Sequence, residues 1–286
     1  MTAYPPAPPP GQQGSTQAPP FCPRHPDRVS YVTCQRCGRP ACPECQRPAA
    51  VGIHCVDCVR DAQRSAPPQR TVLGGRVSGT GRPVTTMTLM GISIALFLLQ
   101  QVLPGVRSSL IFTPAIGEIQ PYRMLTTAFL HAGFLHLAFN MYALWIVGPF
   151  LEHLLGRWRY ITLYLLSAFA GTVSVLLLAA PQDWNVGTVG ASGAVFGLFA
   201  AIAVVLRRTG RNANQILIVI GINVVISFLV PGISWQAHFG GLLVGGLLGA
   251  LFAYLPQKYR RTGAVAGAAL VAVLLLAATF GVYVTH

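Results

Sequence analysis

Gly190-Ala191-Ser192-Gly193 places a hydroxyl between small residues at the mouth of an apolar run that continues to Leu206. A serine in that setting has two readings. One is close helix packing, the common use of small residues in membrane helices. The other is a nucleophile, which needs a base near its hydroxyl. Polar groups that could serve such chemistry interrupt two other apolar runs: His238, in Trp235-Gln236-Ala237-His238-Phe239-Gly240-Gly241, and His136 with Asn140, in His131-x4-His136-x3-Asn140. His136 and Asn140 are four residues apart, so they share a helix face. A different chemistry lies upstream. Cys22-x2-His25, Cys34-x2-Cys37, Cys42-x2-Cys45 and Cys55-x2-Cys58 supply eight ligands, enough for two tetrahedral metal sites.

The x2 spacing lets both ligands of a pair reach one ion from a tight turn. A disulfide framework is the competing reading. The odd cysteine count, the histidine in the eighth place and the cytoplasmic side deduced below argue for zinc. The spacing resembles B-box-type zinc fingers. That resemblance implies cross-braced sites, with Cys22, His25, Cys42 and Cys45 on one ion and Cys34, Cys37, Cys55 and Cys58 on the other. His54 stands beside Cys55 as an alternative ligand. A module this short, taken as 21–60, depends on its metal for folding. With every ligand position filled by protein it has no open coordination site for catalysis, and its expected role is to bind a protein partner or to regulate. Residues 1–20 read as a disordered Pro-rich tail, and 61–83 as a linker.

What would have to position Ser192, His238, His136 and Asn140 is a membrane domain. The chain is 53% hydrophobic and 9% charged, about a third of the usual charged fraction. After Pro83 the acids are Glu118, Glu152 and Asp183. Such a chain cannot cover a water-soluble surface, and it reads as an all-α polytopic membrane protein. Seven apolar runs follow, at about 85–103, 133–155, 158–180, 190–206, 214–230, 236–255 and 264–284. The formal charge of +13 would point to nucleic acid in a soluble protein. Here it falls largely in the links between runs, so it reports topology and no nucleic acid is expected.

Arg64, Arg70, Arg76 and Arg82 precede the first run. Arg157 and Arg159 lie between the second and third, Arg207, Arg208 and Arg211 between the fourth and fifth, and Lys258, Arg260 and Arg261 between the sixth and seventh. The opposite loops hold Arg107 and Arg123. The positive-inside rule then puts the N-terminus and metal module in the cytoplasm of a multi-pass cell-membrane protein, and the C-terminus outside. Ser192, His238 and the His136–Asn140 pair all lie near the outer ends of even-numbered helices. Ser192 precedes Arg207 by a helical length of roughly 22 Å, in a hydrocarbon core of about 30 Å. Similar counts hold for His238 and His136, so the polar groups converge on one level below the outer surface. Polar side chains at such depth are costly unless paired or wet, which marks a functional site. Gly193-x3-Gly197 and Gly241-x3-Gly245-x3-Gly249 provide small-residue ridges that let two helices approach closely enough for a serine to meet a histidine.

Gly190-Ala191-Ser192-Gly193, His136-x3-Asn140, Ala237-His238-x2-Gly241-x3-Gly245 and Gly148-x3-Glu152-x3-Gly156 together resemble the rhomboid intramembrane serine proteases. The resemblance covers about 84–255, a six-helix core, with 256–286 as an appended seventh helix. It implies Ser192 as nucleophile and His238 as general base. It also implies an oxyanion hole made by His136, Asn140 and the Ser192 backbone N–H. Arg123, Glu152, Gly190, Gly193, Phe196, Gly241 and Gly245 become structural residues. The substrates implied are transmembrane segments of other proteins, cut within the bilayer by a Ser-His dyad. No metal is expected in the protease site. Two residues depart from the family pattern: Tyr122-Arg123 stands where Trp-Arg is usual, and Phe196 where many members have Tyr. Phe keeps the ring and loses the hydroxyl.

Other intramembrane protease chemistries fail on composition, since the sequence has neither H-E-x-x-H nor a pair of membrane aspartates. A channel or transporter would want charges along a path through several helices. The remaining alternative is a catalytically silent rhomboid-like scaffold that holds client proteins.

Overall fold

The computed structural model describes residues 18–66, 71–75 and 82–285. These fall into two compact units, one ending before and one beginning after the stretch 67–70. The tail expected over 1–20 lies outside the described residues as far as 17. From Pro20 on the chain is already part of the first unit, because the carbonyl of Pro20 accepts the N–H of Ser30 at 2.8 Å.

The first unit is built on two small antiparallel hairpins. β1 (Phe21–Cys22) pairs with β2 (His25–Val29), and β3 (Gln46–Pro48) pairs with β4 (Ile53–Cys55). α1 (Val56–Ser65) follows directly, its first turn capped by the Cys55 sulfur, which accepts from the Cys58 N–H. The helix thus runs five residues into the stretch read as linker. Six of the seven buried side chains in the core of this unit are cysteines. An apolar core that small cannot hold a fold on its own.

The second unit is helical. α2 (Val84–Val102) leads into three short helices, α3 (Pro104–Leu110), α4 (Pro114–Gly117) and α5 (Arg123–Thr126). Proline at the first turn starts α3 and α4, where its missing N–H costs nothing. Six long helices follow: α6 (Phe134–Leu155), α7 (Arg157–Leu178), α8 (Ser192–Arg208), α9 (Asn214–Leu229), α10 (Trp235–Tyr254) and α11 (Thr262–Thr285). The seven apolar runs correspond to α2 and α6–α11. Five of these are long and apolar enough to cross a membrane, whereas α8 and α9 have 17 and 16 residues. At 1.5 Å per residue α8 is about 25 Å long, short of the roughly 30 Å hydrocarbon core.

α10 is clasped between α7 and α8. A Cβ added to Gly241 or Gly245 would run into the backbone of Gly193 or Gly197 on α8. One added to Gly171 on α7 would lie 3.0 Å from the Ala237 carbonyl. Only glycine lets the helices meet at backbone contact, which is how helices associate where no hydrophobic effect drives them. α8 is buried along most of its length. By contrast α2, α9 and α11 expose large apolar side chains such as Leu98, Ile222 and Leu274, the surface expected to face lipid. Together these features make a multi-pass membrane protein.

One end of this unit gathers the connections rich in arginine. Gly156, with φ 79°, breaks α6 from α7. Arg159, 3% exposed, donates to the carbonyls of Leu73 at 2.7 Å and Arg260 at 3.0 Å. Residues 71–75, inside the expected linker, are packed here. Leu73 joins the helical core, and the Thr71 hydroxyl donates to Leu154 O at 2.6 Å. At the other end, α11 reaches α4 through Tyr283, whose hydroxyl donates to Pro114 O at 2.8 Å.

Candidate active site and metal centres

Ser192 is the first residue of α8, where unpaired N–H groups and the positive end of the helix dipole favour developing negative charge. The chain enters that helix through a loop pinned from several sides. Thr188 pairs with Phe112 across an antiparallel bridge, with its N–H on Phe112 O at 2.8 Å. The Thr127 hydroxyl donates to Thr188 O and accepts the Phe112 N–H. The Thr127 carbonyl takes the Gly190 N–H at 3.0 Å. Gly190 has φ 123°, a conformation that L side chains rarely adopt. A Cβ there would also lie 2.5 Å from the His136 ring. The imidazole of His136 therefore sits against the backbone two residues ahead of Ser192.

His238 is 8% exposed on the first turns of α10. Its ring stacks on Phe196, with centroids 4.1 Å apart and planes 14° from parallel. Phe196 lies one helical turn after Ser192, so the two share a face of α8. The helices touch at the same level, because a Cβ on Gly193 would stand 3.2 Å from Ala237 O. The site residues of α8 and α10 are thus adjacent to the point of backbone contact. The Nδ1 atom of His238 is engaged by the Ser227 hydroxyl of α9 at 2.6 Å, which leaves Nε2 for a second partner. An apolar cavity of about 250 Å³ opens beside the imidazole, lined by Phe196, Val224, Ser227, Phe228, Trp235 and His238 among others.

Asn140 is buried and donates one amide hydrogen to His136 O at 2.8 Å, which leaves its second hydrogen for another acceptor. Arg123, 6% exposed, ties the α3–α5 segment together by donating to Gln120 Oε1 at 2.6 Å and to the carbonyls of Ser108 and Ile111. Tyr122 has a local anchor, its hydroxyl lying 2.8 Å from Gln120 Oε1 and 3.2 Å from Ser109 O. Glu152 lies on α6 and caps α2. It accepts the N–H groups of Thr85 and Thr86 at 2.9 and 2.8 Å and the Thr86 hydroxyl at 2.9 Å. Thr127 and Ser227 went unnoticed in the sequence. Ser227 is a lone hydroxyl in an apolar run and Thr127 one of two adjacent threonines, and neither has a motif around it.

A rhomboid domain model matches residues 118–255, which contain Ser192, His238, His136 and Asn140. YdcA of Bacillus subtilis, also named for the rhomboids, is 35% identical over 145 residues, 49% of this chain and 70% of its own length. The chain belongs to the rhomboid family. The rhomboid protease GluP of Bacillus subtilis is 33% identical over 216 residues, 70% of this chain, but this chain spans 40% of the length of GluP. RHOMBOID-like protein 5 of Arabidopsis thaliana is 34% identical over 149 residues, half of this rhomboid and 47% of the plant protein.

The cysteine module of this rhomboid forms two ligand groups. Cys22, His25, Cys42 and Cys45 offer donor atoms within 4.8 Å of one another, and so do Cys34, Cys37, Cys55 and Cys58. The pairs are interleaved along the chain. Cys55 is in the second cluster, and His54 is not part of either. His25 Nδ1 lies 3.1 Å from Cys42 Sγ and 3.4 Å from Cys45 Sγ, and Cys37 Sγ lies 3.8 Å from Cys55 Sγ. Ligands about 2.3 Å from one tetrahedral ion would be separated by roughly 3.8 Å, so both clusters could hold a metal ion. A backbone hydrogen bond from Cys42 holds the Cys22 thiol down to about 6, while burial and the neighbouring sulfurs push Cys45 up to about 11. Sulfurs crowded this way need a cation before all can be thiolates.

Proposed function

We propose that this rhomboid is an intramembrane serine endopeptidase acting through a Ser192–His238 dyad. The supporting observation is the stacking of His238 on Phe196, one turn from Ser192, where α8 and α10 touch backbone to backbone. Ser192 Oγ attacks the scissile carbonyl while its proton passes to His238 Nε2, and the resulting imidazolium later protonates the leaving amine. The Ser192 N–H, the free amide hydrogen of Asn140 and the His136 ring beside Gly190 stabilise the oxyanion. Substrates are transmembrane segments of other proteins. Basic residues on the links put the metal module in the cytoplasm and the site near the outer face.

The paired clusters hold zinc, the ion favoured by tetrahedral sets of three cysteines with one histidine and of four cysteines. Zinc there supplies folding free energy for a module that presents a surface to a protein partner.

Cleavage of a model transmembrane substrate in proteoliposomes tests the dyad. Ser192→Ala and His238→Ala should each abolish it without unfolding the protein, since nucleophile and base act as a unit. Full cleavage by Ser192→Ala would reject the mechanism. A parent protein without cleavage that still binds clients would favour the silent scaffold.

A further inference from the structure

α9 exposes most of its apolar side chains, and the one residue it buries is polar: Ser227, 4% exposed. Its hydroxyl is within 2.6 Å of two groups. One is the carbonyl of Asn223, four residues earlier on α9. The other is Nδ1 of His238. A hydroxyl has one hydrogen and two lone pairs. The Asn223 carbonyl can only accept, so the Ser227 hydrogen is committed to it. The oxygen that faces His238 then has only lone pairs to offer, and Nδ1 must carry the hydrogen.

The geometry points to Ser227 as the residue that orients His238 and selects its tautomer. With the proton held on Nδ1, Nε2 is the unprotonated nitrogen. That is the form a base needs to take the proton from Ser192 Oγ. After that transfer both ring nitrogens carry hydrogens, and the Nδ1–H···Oγ bond to Ser227 becomes charge-assisted. Ser227 acts through the imidazole of His238, and it is a positioning residue. Phe196 fixes the plane of the ring by stacking, and Ser227 fixes its rotation within that plane. The inference rests on the Ser192–His238 dyad proposed above.

An orienting carboxylate in a soluble serine protease is worth about 10⁴-fold in kcat. A neutral hydroxyl lends the imidazolium no charge, and about tenfold is expected here. The test compares Ser227→Ala and Ser227→Thr with the parent in proteoliposomes, alongside Ser192→Ala and His238→Ala. Ser227→Ala should lower kcat about tenfold and leave KM within about twofold. Ser227→Thr, which restores the hydroxyl, should recover most of the rate. Nitrogen-15 spectra of histidine-labelled protein, with His238 assigned from His238→Ala, should show hydrogen on Nδ1 in the parent and a mixture of tautomers in Ser227→Ala. An unchanged kcat in Ser227→Ala would overturn the assignment. So would a loss that Thr fails to rescue and that is matched by a fall in melting temperature, or hydrogen on Nε2 in the parent. If Ser192→Ala or His238→Ala cleaves like the parent, the dyad itself fails, and the spectra still report separately on the Ser227–His238 bond.

Discussion

The carbonyl of Thr127 receives the N–H of Gly190, two residues before Ser192, while the Thr127 hydroxyl bridges Phe112 and Thr188. One side chain and its own backbone thereby tie the loop before Ser192 to the segment that precedes α6. Replacing Thr127 with valine keeps the shape and removes the bridge. Leaving a buried donor and acceptor unpaired costs about 1–3 kcal/mol. The loop then drifts, and a shift of about 1 Å at a reacting group can cost up to 10²-fold in rate. Thermal unfolding in detergent and steady-state cleavage by Thr127→Val measure both. A variant with parental stability and kcat would show the bridge to be incidental.

Phe196 carries the ring on which His238 stacks. Such contacts are worth about 0.5–1.5 kcal/mol. Phe196→Ala should lower kcat roughly three- to tenfold with a smaller change in KM, and Phe196→Tyr should stay near the parent because the ring is kept. Equal activity in the Ala and Tyr variants would argue against a role for the stack.

Glu152 caps α2 from α6 and accepts three hydrogen bonds, two from backbone N–H groups. Glu152→Gln turns one acceptor oxygen into a donor that faces those N–H groups. The expected loss is about 2–3 kcal/mol of stability, from a cap and buried charge-assisted bonds. Ser192 lies in a different part of the fold, so cleavage per folded molecule should stay within about twofold. A melting temperature equal to the parent's would remove the cap from the account.

Removing metal distinguishes the two units. A strong chelator should release two ions per chain, counted by elemental analysis, and unfold the residues around Cys22–Cys58, read as rapid proteolysis of that segment. Cys34→Ser should lose one ion and leave the Cys22, His25, Cys42 and Cys45 group loaded. Cleavage in detergent should persist in both cases. Loss of cleavage in parallel with the metal would show that the units are coupled.

The apolar runs, the basic links and the small-residue ridges were legible in the sequence because each is a local pattern. Length and hydropathy make a membrane helix, and a glycine every fourth residue makes a face that can touch another backbone. Ser192, His238, His136 and Asn140 stood out for the same reason, as polar groups where lipid would penalise them. The eight candidate metal ligands were visible from their spacing, with His54 left open as an alternative to Cys55. The tertiary structure decided which of those donors lie together, because interleaved pairs meet only once both hairpins have folded. It also decided what holds the site and the rest of the fold in shape. Thr127 and Thr188 are 61 residues apart, Arg159 and Leu73 are 86 apart, and Ser227 and His238 lie on different helices. A single hydroxyl or guanidinium has no periodicity, so nothing in the chain near it names its partner. That choice is made only when packing takes water away and each buried donor must find an acceptor.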